Sequence, residues 1–355
     1  MLLPAIAAAK SPEIANIAAN IASDAKQSSK EKQFLRCLDK TNITQASYAK
    51  ALVDVLKLGS RPFELIMDRT NWKSGKIDVN IFVLAIRVDQ SLVIPLFFMD
   101  LEGGKKGGSS NSDERIELLQ LFLDVFHADR IGWLLGDREF ASGNFLKFLL
   151  EKKINFLLRI KKSHFCNILN ENNIKIADFS QAQKCKIYGQ DVYVGGKSIN
   201  PKPRKKTKKR SEDTGQTNIA EQDSSMDDDT LVLISNKVVT KESLQLYRNR
   251  WGIETMFKQF KSDGFNLERS GLKTMHRMLN LILLISITIV SAYLFGKDKV
   301  EKPRLNKKRG TPQKSLFKQI LEYLINWLVK NRSSLPAYTL KPKRAVQTVI
   351  TCVDT

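Results

Sequence analysis

Cysteine and histidine are scarce in this chain. Four cysteines (Cys37, Cys166, Cys185, Cys352) and three histidines (His127, His164, His276) are scattered over 355 residues. No CxxC pair and no His/Cys cluster is present, so zinc-ligand spacing is absent and a disulfide framework is not expected. Reduced thiols of this kind fit a cytoplasmic compartment. Glycine (18) and proline (10) are too sparse for a fibrous or wholly disordered chain. No basic segment precedes the apolar start MLLPAIAAAKSPEIANIAANIA, which reads as an amphipathic helix rather than a signal peptide. One long apolar run exists, Met278 to Phe295, interrupted by Asn280, Ser286, Thr288 and Ser291 and followed by no second span. A buried core helix is expected there, with no membrane partner.

Acid is the other shortage. Thirty-seven Asp and Glu face 58 Lys and Arg, a net charge of +21 and a pI near 9.7. A polyanionic partner is the simplest reason to tolerate that self-repulsion, although charge alone does not separate DNA from RNA, ribosome or anionic membrane. With 42% hydrophobic and 27% charged residues, the remainder of the composition is globular.

The hydrophobic period changes along the chain. Residues up to about Leu58 read as helices, the last running through Ala46 to Leu58 with Asn42 or Thr44 as its cap. FELIMD (Phe63–Asp68), VNIFVLAIRV (Val79–Val88) and LVIPLFFM (Leu92–Met99) then predict three strands. Asp113–Phe126 has helical spacing with acid in its first turn. Ile131–Asp137 predicts a fourth strand, Asn144–Glu151 a helix and Ile154–Ile160 a fifth strand. Three hairpin-linked strands followed by helix-linked ones make an α/β, ribonuclease-H-like mixed sheet flanked by helices. Cys185–Val194 and Leu231–Ile234 add strands in a β-rich insertion, and a single long helix is expected from about Thr240 to Lys261. A last amphipathic helix lies near Leu316–Leu328 in a basic tail.

This organises the chain into a helical N-terminal region (1–60, a candidate contact for a polyanion such as DNA), a ribonuclease-H-like domain (61–296) and a basic helical C-terminal region (297–355). The domain carries an insertion at 161–238. Within it, about 197–230 is basic at first (KSINPKPRKKTKKR) and then acidic, with too few apolar residues to fold alone.

Two predicted strands end in aspartate, Asp68 and Asp137. If they lie adjacent and parallel, both carboxylates emerge at one carboxyl edge, where α/β sheets hold ligands. Their mutual repulsion is relieved by a divalent cation, and hard oxygen ligands favour Mg²⁺ or Mn²⁺. On the predicted helix, Tyr247, Arg250, Glu254 and Lys261 point to about 0°, −60°, −20° and −40° at ~100° per residue, one narrow stripe. Ile253, Met256, Phe257 and Phe260 occupy a neighbouring face. Trp251 either stacks on an unpaired or flipped base or is a core tryptophan. Arg69 and Arg138 read as structural or DNA-contacting, and Glu139 as a rival ligand ranked below Glu254.

Three blocks carry a resemblance: MDRTNWKSGK around Asp68, LLGDREF around Asp137, and YRNRWGIETMFKQFKSDGF around Glu254, which fits Tyr-x2-Arg-x3-Glu-x6-Lys throughout. Over about residues 61–296 the chain resembles DDE-class insertion-sequence transposases of the group with the YREK signature (the insertion-sequence-four type). The resemblance implies two Mg²⁺ ions (Mn²⁺ substituting) on Asp68, Asp137 and Glu254. It further implies phosphodiester cleavage at transposon ends and strand transfer into target DNA, by cut-and-paste with a hairpinned end as one route. Arg250 and Lys261 are then phosphate-binding, Tyr247 contacts a terminal phosphate, and a homodimer on double-stranded DNA at the bacterial nucleoid is expected. The competing expectation is a catalytically inactive DNA-binding protein derived from a transposase.

Overall fold

A computed structural model describes residues 2–74, 77–101, 110–161, 165–167, 173–175, 182–198, 230–261, 264–300 and 316–330. The charge-segregated loop expected at 197–230 lies, from 199 to 229, outside the described residues, as does the tail beyond 330. The chain divides into two compact units: residues 1–110, 117–130 and 251–355, and residues 111–116 and 131–250.

In the first unit, four helices precede the sheet: α1 (Leu2–Ala9), α2 (Ile14–Ala19), α3 (Gln27–Lys40) and α4 (Gln45–Val55). Thr44 caps α4, its side chain accepting from the Ser47 amide at 3.1 Å, so of the two expected caps the second is used. Three antiparallel strands follow in the order β3-β2-β1: β1 (Phe63–Ser74), β2 (Ile77–Arg87) and β3 (Val93–Asp100). The α4 helix docks on β3 through polar contacts as well as apolar ones. The Gln45 side-chain amide bonds the Phe98 backbone in both directions (2.6 and 2.7 Å), and the buried Tyr48 phenol donates to the Pro95 carbonyl at 2.8 Å. Burial pushes the Tyr48 phenol pKa up. Helix α5 (Ser112–Leu123) supplies Phe122, which meets Phe63 and Phe97 edge-to-face at 6.1 and 6.2 Å and Phe126 at a tilt at 5.2 Å, while Phe63 and Phe126 meet edge-to-face at 5.6 Å.

The strand carrying Asp68 corrects one expectation. It does not end at Asp68 but continues through Arg69–Ser74, with Asp68 opposite Val83 in a long hairpin. The polar text DRTNWKS conceals an alternation: Trp72 and Ser74 are buried while Asn71 and Lys73 are exposed, so pairing continues past the carboxylate.

The second unit orders its strands β4-β5-β10-β9-β8-β6-β7: β4 (Ile131–Gly136), β5 (Phe156–Arg159), β6 (Phe165–Asn167), β7 (Asn173–Lys175), β8 (Gln183–Ile187), β9 (Gln190–Ser198) and β10 (Thr230–Ser235). β4 and β5 are parallel, joined by α6 (Gly143–Glu151) as the βαβ pattern requires; among the described residues the pairings beyond β5 are antiparallel. The fold is thus α/β with a mostly antiparallel sheet and flanking helices.

The helix expected from Thr240 to Lys261 is not continuous. It is α7 (Lys241–Tyr247), a 3-10 turn (Arg248–Arg250) and α8 (Trp251–Lys261), and the chain passes between the two units at 250/251. A 3-10 turn advances about 120° per residue and rises about 2.0 Å. The single-stripe angles, which assumed α-helical geometry throughout, therefore hold for Glu254 and Lys261 on α8 but not across from Tyr247. Thr240 and Ser243 form a reciprocal cap at the start of α7.

The apolar run is α9 (Met275–Gly296), long and apolar enough to cross a membrane, with 72% of its most apolar window buried inside the protein. Its polar interruptions are internally satisfied: Ser286 and Thr288 each donate to the carbonyl four residues back at 2.8 Å. α1, α3, β3 and α10 (Leu316–Lys330) pack against it. Arg277 at its first turn makes a two-pronged pair with Asp39 of α3 (2.7 and 2.8 Å), which holds the Asp39 carboxyl below its usual range.

Candidate active site

The first unit holds Asp68, Trp251, Glu254 and Lys261. Asp68 is half-buried, and one of its carboxylate oxygens accepts the Arg69 amide at 2.8 Å. Alternation puts Ile66, Asp68, Thr70, Trp72 and Ser74 on one face of β1. Helix α8 packs against β1 and β3 through Gly252. A Cβ at Gly252 would stand 2.6 Å from Val93 Cγ2 and 4.0 Å from Ile66 Cδ1, so the helix rests closely on sheet side chains, Ile66 among them on the face that carries Asp68. Ile253, Met256 and Phe260 are buried beneath α8 and Glu254 is half-buried. At the far end of the helix, Lys261 Nζ donates to the Asn71 carbonyl at 2.7 Å, lies 5.6 Å from the Trp72 ring centre and 4.0 Å from a Glu268 carboxylate oxygen. Burial pushes its ammonium pKa down, while Glu268 opposes that shift.

Trp251 is not a core tryptophan. It is 66% exposed at the start of α8, an uncommon position for an indole.

The second unit holds Asp137, Tyr247 and Arg250. Asp137 follows β4 directly, as expected, and caps the 3-10 turn Arg138–Phe140 by accepting the Arg138 amide at 2.8 Å. Phe140 anchors that turn from within: it is fully buried, and a Cβ on Gly136 would meet its ring at 3.1 Å and Leu158 at 2.8 Å. Glycine is required before Asp137 by close approach rather than by backbone angle. Tyr247 is 5% exposed, its phenol donating to the Gly136 carbonyl at 3.1 Å, and the half-buried Arg250 guanidinium lies 5.9 Å from the Tyr247 ring centre. One residue before Asp137, therefore, the chain is tied to the Tyr-x2-Arg segment.

Among the described residues no three His, Cys, Asp or Glu side chains gather into a ready-made metal cluster. The donors at the expected positions are carboxylates, oriented by their own following amides at Asp68 and Asp137. Oxygen-only donors of that kind fit a hard divalent cation and not a thiophilic one. Sequence reasoning missed two residues beside this chemistry. Trp72 reads as part of a turn until the strand is seen to continue, and Arg115 reads as an exposed charge in a helical first turn but is 5% exposed.

Residues 65–291 match the Transposase DDE domain family, a span that includes Asp68, Asp137 and the whole Tyr247–Lys261 segment. The chain belongs to that family, and it is a DDE transposase: a polynucleotidyl-transferase-type nuclease acting on DNA, of a class that uses divalent metal ions. Among curated proteins the chain has no significant match.

Proposed function

We propose that this chain is a cut-and-paste transposase of the YREK group, with a ribonuclease-H-like catalytic core in which Asp68, Asp137 and Glu254 hold two Mg²⁺ ions. The observation that carries the reading is a family match enclosing two strand-borne aspartates with amide-oriented carboxylates and a glutamate on a helix packed to the Asp68 face. When bound, such ions activate the attacking oxygen and stabilise the leaving oxygen of an in-line displacement at a phosphodiester.

The chain's own part is positioning and charge. Glu254 sits on a helix held to the sheet by Gly252, so its carboxylate has a fixed height above β1. Lys261 is pre-set by the Asn71 carbonyl and the Trp72 ring to meet a phosphate as a point charge; Arg250 meets one as a planar fork. Tyr247 has a single hydroxyl hydrogen, and it is committed to Gly136. Donation to a terminal phosphate therefore requires that bond to be exchanged, which couples DNA-end binding to the residue preceding Asp137. Exposed Trp251, one turn before Glu254, supplies a stacking surface for an unpaired base at the cut end. Two ends must be joined, so the working form is a homodimer on double-stranded DNA, with a hairpinned end as the intermediate.

The test incubates DNA flanking the gene with purified protein and Mg²⁺ and resolves products on a denaturing gel, wild type against Glu254→Gln. Metal-dependent cuts at matched positions on both sides, absent in the variant, are expected, with a hairpin-length product. Tight binding with no cut in Mg²⁺ or Mn²⁺, even on pre-nicked ends, would leave a non-catalytic DNA-binding protein instead.

A further inference from the structure

Arg115 is a charged group at 5% exposure, and a buried guanidinium is costly unless it is paired and hydrogen-bonded. Burial lowers its pKa, opposed first by Glu139 and then by Glu114. Glu114 is engaged at the helix start: its carboxylate accepts the Asn111 amide at 2.7 Å, and the Asn111 side chain accepts the Glu114 amide at 2.9 Å. This reciprocal cap fixes the first turn of α5. From that turn Arg115 reaches the segment after Asp137. It donates to Ser142 Oγ at 3.1 Å and lies 5.6 Å from the centre of the Phe140 ring, and its charge is attracted by Glu139. Ser112, in the same turn of α5, bonds Ser142 at 2.8 Å. The 3-10 turn that Asp137 caps is therefore gripped along its length, with Phe140 also bonding back to the Asp137 carbonyl at 3.1 Å.

We propose that Arg115 is a positioning residue: from the first turn of α5 it clamps the Asp137-bearing turn through Phe140 and Ser142, and so fixes the direction of the Asp137 carboxylate. The inference rests on Asp137 being a ligand, as proposed above. An arginine suits the task because its planar head can lie on Phe140 while donating sideways to Ser142; a lysine can supply only the charge.

The test measures Mn²⁺ binding to the full chain by electron paramagnetic resonance, with a thermal melt of each variant. Wild type is expected to bind Mn²⁺ in a manner lost in Asp137→Asn. Arg115→Met should raise the dissociation constant about 10–100-fold, the usual cost of losing a group that orients a metal ligand. Arg115→Lys should recover part of that loss. Ser142→Ala, a milder change that keeps the fold if Arg115→Met does not, should weaken binding about 3-fold or more through the lost hydrogen bond. Wild-type Mn²⁺ affinity in folded Arg115→Met or in Ser142→Ala, with only the melting temperature lowered, would reduce Arg115 to packing and overturn the inference alone. Wild type with no Asp137-dependent binding would sink the ligand assignment and the inference with it.

Discussion

Gly252→Ala sets two effects of known size against each other. Alanine in place of glycine in a helix gains at most about 1 kcal/mol of propensity, and less in the first turn, where Gly252 sits as the second residue of α8. Against this, the new methyl would stand 2.6 Å from Val93 Cγ2, roughly an ångström inside an ordinary carbon–carbon contact. Val93 cannot swing aside, because a β-branched side chain on a strand is stiff at χ1 and this one is buried at 8% exposure. Overpacking of that kind costs about 1–3 kcal/mol. The clash wins, and a net destabilisation of about 1–2 kcal/mol is expected by denaturant titration. Because relief comes from lifting α8 off β3, Glu254 moves with it, and strand cleavage should fall more than stability does. In a cycle with Val93→Ala the two changes should be less than additive by about 1 kcal/mol. If Gly252→Ala instead raises stability by the propensity increment and cleaves normally, the close approach of α8 to the sheet is wrong.

Four further outcomes follow from particular contacts. Tyr247→Phe removes the donor to the Gly136 carbonyl and should cost about 1 kcal/mol, read as a lower melting temperature; an unchanged melt would show that bond to be dispensable. Trp251→Ala should leave stability within about 0.5 kcal/mol, since the ring is exposed, yet weaken binding to ends with an unpaired base by about 1–3 kcal/mol; equal binding would dispose of stacking. Lys261→Met should reduce the slope of log binding constant against log salt by about 0.9 if Lys261 meets one phosphate, and by nothing if Asn71 and Glu268 retain it. At Asp89, burial favours protonation, but bonds from Tyr293, Ser91 and the Leu92 amide outweigh it and hold the carboxyl below its ordinary range. The native state therefore binds that proton more weakly than the unfolded chain does. The contribution is complete above the ordinary carboxylate range and is lost as pH falls through the folded value. Tyr293→Phe should flatten the acid limb of a stability–pH curve, and an unaltered limb would contradict this.

Local pattern alone was enough for much of this protein. The short β-rich apolar run VNIFVLAIRV between turn-like residues and the acid-started helical spacing of Asp113–Phe126 mark strand and helix from neighbouring residues alone. Thr44 as a cap, Asp137 immediately past a strand and the three motif blocks were legible for the same reason: each depends on a few neighbouring residues. The buried character of α9 was legible too, since Asn280, Ser286, Thr288 and Ser291 interrupt a run that only just reaches the length of a membrane span.

Tertiary structure decided the rest. Whether β1 stops at Asp68 or runs to Ser74 depends on a partner strand that keeps pairing and on a face that buries Trp72, neither of which is local. The break between α7 and α8 at Arg248–Arg250 has no proline to announce it, and Asn249 and Gly252 are too weak a signal to place it from the sequence. Trp251 exposed and Tyr247 buried, four residues apart, reverse what hydrophobicity would assign. Arg115 looks solvated beside Asp113 and Glu114, and becomes a buried clamp only because Phe140 and Ser142 are folded against it. A sequence specifies which groups are present and in what local direction they point; desolvation and partnership are properties of the three-dimensional neighbourhood, and they determine which of those charges do chemistry and which hold others in place.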